Sequence, residues 1–191
     1  MKYYINIFVS VWFLLSVATS YAAEVTIVAP DGATPLRQPI LVQVYLDTED
    51  DAVSGIAGNF SFPSEMFDIE SIITEKSIVS LWGVEPSVSE EKYLDRRTHI
   101  TFEGIFPGGY SGVRSPYYRG KEPGILFSVM LVPKQKGNGS FIVDDIQLHA
   151  FDSNATQLPI ASAVKLVSVP ELLPITKIVS RDPVGVNKKS L

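Results

Sequence analysis

The sequence predicts an all-β fold: an antiparallel two-sheet β-sandwich of about eight strands, with at most one short helix. Three observations carry this. Apolar and polar residues alternate with period two in segment after segment, which is the pattern of strands with one face in a core and one in water. Turn-forming residues separate those segments. A single stretch has the spacing of a helix start, so there is no second layer of helices for the strands to pack on.

The first residues stand apart from this pattern. "MKYYINIFVSVWFLLSVATSYAAE" carries one positive charge at Lys2, an apolar run from Ile5 to Val17, and small residues up to Ala22 and Ala23. That is the plan of a secretory signal over residues 1–22, with Ser20-Tyr21-Ala22 as the cleavage box. The run is shorter than the roughly 20 residues that span a bilayer, and Asn6 and Ser10 interrupt it. The expectation is export and cleavage, leaving no stable membrane span. The absence of Cys excludes a lipid-anchored cysteine and disulfides alike, so the core alone must hold the exported fold.

Strands follow in order. Glu24–Ala29 is the first. In "ILVQVYLD" Ile40, Val42, Val44 and Leu46 share one face, with Gln43 and Tyr45 on the other. In "SGIAGNFSF" Ile56, Gly58, Phe60 and Phe62 alternate with Ala57, Asn59 and Ser61. Phe67–Thr74 comes next, then "THITFEG", where Ile100 and Phe102 oppose His99, Thr101 and Glu103. "GILFSVMLV" is apolar on both faces, as befits a strand inside a sheet or under a covering loop. Ser140–Phe151 and Val164–Val169 complete the set. The expected core holds Ile40, Val42, Val44, Phe60, Phe62, Ile100, Phe102, Phe127, Val129, Ile146 and Leu148.

Turns are expected at Pro30-Asp31-Gly32, Asp50-Asp51, Lys136-Gly137-Asn138-Gly139 and Asp152-Ser153-Asn154. Asn-Gly between apolar runs is a strong hairpin signal because both residues accept positive φ. The one helix hint is "SVSEEKYLDRR", where Ser87 precedes Glu90 at capping-box spacing. Beyond Pro170 the chain reads as a tail or linker over residues 171–191, which leaves one domain over residues 24–170.

In this order the segments resemble the cohesin-like domains of secreted bacterial proteins, which share a jelly-roll sandwich with a group of carbohydrate-binding modules. The resembling pieces are "ILVQVYLD", "VSGIAGNFSFPSEMFDIESI", "ITFEGIFPGGYSG", "GILFSVMLVPKQKGNGSFIV" and the strand after "DSNATQLP". The resemblance implies a non-catalytic binding module outside the cell, in a polysaccharide-related or cell-surface setting. Its implied partner is a protein, dockerin-like or part of a surface scaffold. A carbohydrate-binding module of the same architecture is the alternative, and a secreted enzyme the third. The chain departs from the cellulosomal setting: it has no duplicated dockerin-type calcium loop and no attached catalytic domain. No motif fixes a dockerin-binding surface residue by residue.

Charge narrows the partners. Without Lys2, 15 basic side chains face 21 acidic ones, and residues 24 to 173 carry 11 against 20, a net charge of −9. Such a surface repels phosphate backbones, so nucleic acid is not an expected partner. No catalytic residue is predicted. The two histidines are His99 and His149, both expected on exposed sheet faces. His99 and Glu103 share a face but lie roughly 13 Å apart along a strand, beyond hydrogen-bond reach. "DTEDD" gathers Asp47, Glu49, Asp50 and Asp51 at a strand end, oxygen ligands of the kind calcium takes; without the EF-hand spacing it reads first as a solvated hairpin. No other cofactor is implied. Asn59, Asn138 and Asn154 head formal glycosylation triplets, with Asn138 and Asn154 better explained as turn residues.

The candidate contact residues come from "FEGIFPGGYSGVRSPYYRGKEPG", residues 102–124. The strand is expected to end near Gly104, because Pro107 lacks an N–H and Gly108-Gly109 weaken a ladder. The loop beyond it presents Tyr117 and Tyr118 among Arg114 and Arg119, and Trp82 sits in another irregular region, "SLWGVEPS". These residues suit a protein interface or stacking on sugar rings; packing over an end of the sandwich would use them equally well. Tyr110, nearest the strand, is expected to pack, and Tyr117 and Tyr118 to be at least partly exposed.

Overall fold

The computed structural model describes residues 23–31, 34–49, 51–90, 95–112 and 122–170. The signal-like segment, the tail from residue 171, Asp50, and the loop residues Arg114, Tyr117, Tyr118 and Arg119 lie outside them. The described residues form ten strands: β1 Glu24–Val28, β2 Ile40–Asp47, β3 Val53–Pro63, β4 Phe67–Ile73, β5 Leu81–Val88, β6 Arg97–Tyr110, β7 Gly124–Pro133, β8 Gly137–Ala150, β9 Gln157–Leu158 and β10 Ala163–Val169. One sheet runs β1-β2-β7-β4; the other runs β10-β8-β3-β6-β5, with β9 added to β8. Every strand pairing is antiparallel. The all-β sandwich is therefore as the alternation predicts, with ten strands rather than about eight.

The core lies between the sheets, where the inward side of each alternating strand meets the other. Val42, Val44, Phe60, Ile100, Phe127 and Val129 are fully buried. The rings interlock: Phe60 of one sheet meets Phe127 of the other edge-on at 6.2 Å and 82°, and Phe102 lies 5.0 Å from Phe127. One side of the sandwich is closed by Lys165 bonding Asp31 at 3.0 Å and by the Thr34 amide donating to the Ser168 carbonyl. β7 is apolar on both faces, as expected of a strand between two others. A register shift after Val44 pairs Tyr45 with Ile125 and Val44 with Phe127, so the neighbours Leu126 and Phe127 are both buried.

Several expectations are corrected. Ile146 is only half-buried against the core: Ala57 pairs with Gln147 and Asn59 with Asp144, so Asp145 and Ile146 share one bulge, with Asp145 at a φ of +51°. β6 does not stop near Gly104 but runs to Tyr110. The four residues from Phe106 to Gly109 stand opposite Ser54 alone, and Gly108 and Gly109, at φ of +86° and +81°, absorb the excess that would otherwise end the ladder. The Asn138-Gly139 pair is not a hairpin turn. It lies inside β8, paired with Ser168 and Val167 of β10, and the chain reverses before it, over residues 134–136. Ser87, the expected helix cap, is in β5, whose pairing with β6 wins over the local capping signal. No helix occurs among the described residues, so none there could cross a membrane. β6 and β7, joined through residues 111–123, lie in opposite sheets.

Candidate functional site

The outer face of the larger sheet is a trough. Core-facing residues of β3 alternate with Gly55, Ala57, Asn59 and Ser61 on the outside, all small, while β6 and β8 on either side carry longer chains. The register sets the rows: His149, Gly55, Ile105 and Leu81 lie across one, and Gln147, Ala57, Glu103 and Val84 across the next. Two clefts open along this trough, of about 390 Å³ around Gly55 and Ala57 and about 280 Å³ around Ala57 and Asn59. Both borders of the face are apolar. Leu81 (54% exposed), Val84 (42%) and Ile105 (38%) lie on the β5–β6 side, and Val164 (62%) and Leu166 (79%) on β10 at the far edge.

At the other end of the trough the polar groups are tied to one another. The Arg97 guanidinium reaches over β3, donating from Nε to Ser61 Oγ at 3.0 Å and from one terminal nitrogen to the carbonyls of Ser61 and Ser140, both at 2.8 Å. Three strands are thereby clamped by one cation. Burial lowers its pKa while Asp95 and Asp144 support the charge. His99 Nε2 lies 2.9 Å from Asp95 Oδ2. Burial works to raise the Asp95 pKa, but the Arg97 amide and the His99 ring together bring it below the ordinary value. Asp144 is pushed the other way, first by burial and then by neighbouring Asp145, against the pull of His99 and Arg97. Asn59 donates to Asp145 at 3.3 Å.

The histidines differ from the expectation. His99 is on the outer face but is only 8% exposed, with Nε2 on the Asp95 carboxylate. His149 is half-buried, and its Nδ1 lies 3.1 Å from the Ala155 carbonyl. Trp82 is in a regular strand, opposite Gly104, and packs half-buried on the core. Of the carboxylates considered for calcium, Asp47 accepts the Glu49 amide at 2.9 Å, and the Asp51 amide bonds the Thr48 carbonyl. Glu49 is at a φ of +47°. Among the described residues no three His, Asp or Glu side chains are grouped to hold a metal ion. Tyr110 packs as expected, against Phe106 and the core. The trough itself was not foreseen; its signal was the run of small residues on the outward side of "SGIAGNFSF".

No protein-family model matches the chain, and no curated protein sequence does. Solved structures do. The cohesin module of a family 33 glycoside hydrolase from Clostridium perfringens aligns at a TM-score of 0.57 and 13% identity, over 78% of this chain and 98% of that one. A non-cellulosomal cohesin from the archaeon Archaeoglobus fulgidus aligns at 0.53 and 16%, over 78% and 92%. The sixth cohesin of Acetivibrio cellulolyticus scaffoldin B, in complex with a Cel5 dockerin, aligns at 0.52 and 12%, over 78% and 99%. At these identities the likeness shows the fold: the chain has a cohesin-like β-sandwich.

Proposed function

We propose that the chain is an exported, non-catalytic module that binds a protein partner on the outer face of its six-stranded sheet. The observation that carries this reading is the face itself, a trough with exposed Leu81, Val84, Ile105, Val164 and Leu166 along its borders. Exposed apolar side chains bordering a concave face favour protein contact. The Acetivibrio neighbour is in complex with a dockerin, which supports a dockerin-like partner, and the signal-like plan of residues 1–22 supports an extracellular or cell-surface setting. Among the described residues no exposed Trp, Tyr or Phe lines either cleft, so the stacking platform that sugar binding favours is not found there.

Capture of secreted proteins from the source organism tests the reading with two variants. Ile105→Asp, in the trough wall, should abolish capture of a specific partner, and Val28→Asp, on the opposite sheet, should leave it intact. Equal behaviour of the two, or retention of the chain by a neutral polysaccharide with loss of that retention in Ile105→Asp, would remove the proposal.

A further inference from the structure

The wider cleft holds hydrogen-bond acceptors that are positioned but unused. Gly55 and Ala57 form its floor, Glu103 and Ile105 one wall, Gln147 and His149 the other. The His149 ring is fixed by Nδ1 at 3.1 Å from the Ala155 carbonyl. A carbonyl oxygen only accepts, so Nδ1 carries the hydrogen and Nε2 of the neutral ring is an acceptor. Ala155, at a φ of +49°, belongs to a turn tied together by Asp152, which accepts from the Asn154 and Thr156 amides at 3.0 Å and from the Thr156 hydroxyl at 2.6 Å. Across the trough the Glu103 carboxyl lies over Gly83, where an added Cβ would come within 3.1 Å of it. Among the described residues neither Glu103 nor Gln147 makes a side-chain hydrogen bond or ion pair. The Ser54 hydroxyl is already spent on the carbonyls of His149 and Ala150.

We infer that this cleft takes an arginine side chain of the protein partner. The inference rests on the docking face proposed above and names the chemistry of its anchor. The free capacity of the walls is a carboxylate, an imidazole nitrogen and an amide oxygen, on a domain of net charge −9 over residues 24–173. Such a site selects a donor that is also a cation. β6 and β8 flank β3, so the backbones of the two walls stand about 9–10 Å apart, two strand spacings, with the Glu103 carboxyl leaning toward Gly83 of β5 and free to turn into the trough. A planar guanidinium, with five N–H groups directed outward, addresses acceptors on both sides at once; a lysine ammonium is a point charge that serves one wall. Ile105 and the Gly55–Ala57 floor accommodate the aliphatic stem.

Nuclear magnetic resonance of the full chain, titrated with N-acetyl-arginine-methylamide, its citrulline counterpart and cellobiose, tests this. The arginine compound should move the Gly55, Ala57 and His149 signals saturably, and the neutral citrulline isostere should bind about tenfold more weakly or worse, the loss of a charge-assisted hydrogen bond. Glu103→Gln should show a similar loss. His149→Asn keeps a donor for the Ala155 carbonyl but removes the Nε2 acceptor, so it should weaken binding with an unchanged melting temperature. Absence of saturable shifts at Gly55 and His149, an equal response to citrulline, or a response to cellobiose alone would overturn the inference. The probe needs no partner. An Ile105→Asp-sensitive partner without an arginine response would overturn only this inference; an arginine response without such a partner would overturn only the docking face.

Discussion

Tyr110 stacks on Phe106, with ring centroids 5.5 Å apart and planes 27° from parallel, although the two residues bracket Pro107, Gly108 and Gly109. The bulge between them turns the chain so that both rings lie against the core, and the Tyr110 hydroxyl then donates to the Glu122 carbonyl at 3.3 Å. Truncating Tyr110→Ala should cost about 2 kcal/mol, less than a fully buried aromatic because the ring is only partly covered. Chemical denaturation of the variant checks this; an unchanged midpoint would mean the stack contributes nothing.

Phe102 carries more. It is 2% exposed and touches Phe127 of the opposite sheet, so it joins the two layers. Phe102→Ala should cost roughly 3–5 kcal/mol, the range for emptying a packed aromatic site. The same variant should expose dye-binding apolar surface at temperatures where the parent chain binds none.

Asp144 predicts a pH dependence of one sign. Its folded pKa is raised above the ordinary 3.8, chiefly by burial and next by Asp145. Across the window from 3.8 to that raised value the folded chain holds a proton that the unfolded chain has released. The stability this group contributes is complete below 3.8 and is lost as pH rises through the folded pKa. Asp144→Asn should therefore raise the melting temperature at pH 7 and give no gain near pH 3.

Asp152 predicts the opposite sign. The Thr156 hydroxyl first, and then the Thr156 amide, hold its pKa below the ordinary 3.8. Its contribution is present above 3.8 and disappears as pH falls through the folded value. Asp152→Ala should lower the melting temperature at neutral pH, with the difference closing toward pH 2. Thr156→Val should reproduce part of the loss, since Oγ1 donates the shortest of the three bonds.

The strands with uninterrupted alternation were legible. Ile40, Val42 and Val44, or Phe60 and Phe62, point inward for the reason their spacing states, and each is buried. β5 was not, because Gly83 and Pro86 break the alternation and two register shifts against β6 repair it from outside the segment. Pro107-Gly108-Gly109 reads locally as a strand end and is absorbed as a bulge, and Asn138-Gly139 reads as a turn and is held straight by β10. In each case a pairing with a distant strand outweighs a local preference. The candidate site shares that limit. Gly55, Ala57, Glu103, Gln147 and His149 become one cleft only through the registers of β3 with β6 and β8, and no window of sequence contains them together.

The Glu122 amide donates to the Gly112 carbonyl at 3.1 Å, so the chain leaves and re-enters the sandwich at one backbone bond. For a flexible loop, doubling the length costs only about 0.6 kcal/mol in closure entropy. With its two ends tied by that bond, the gate is a place where an epitope, a fluorophore site or a second binding sequence could be grafted at a small closure cost.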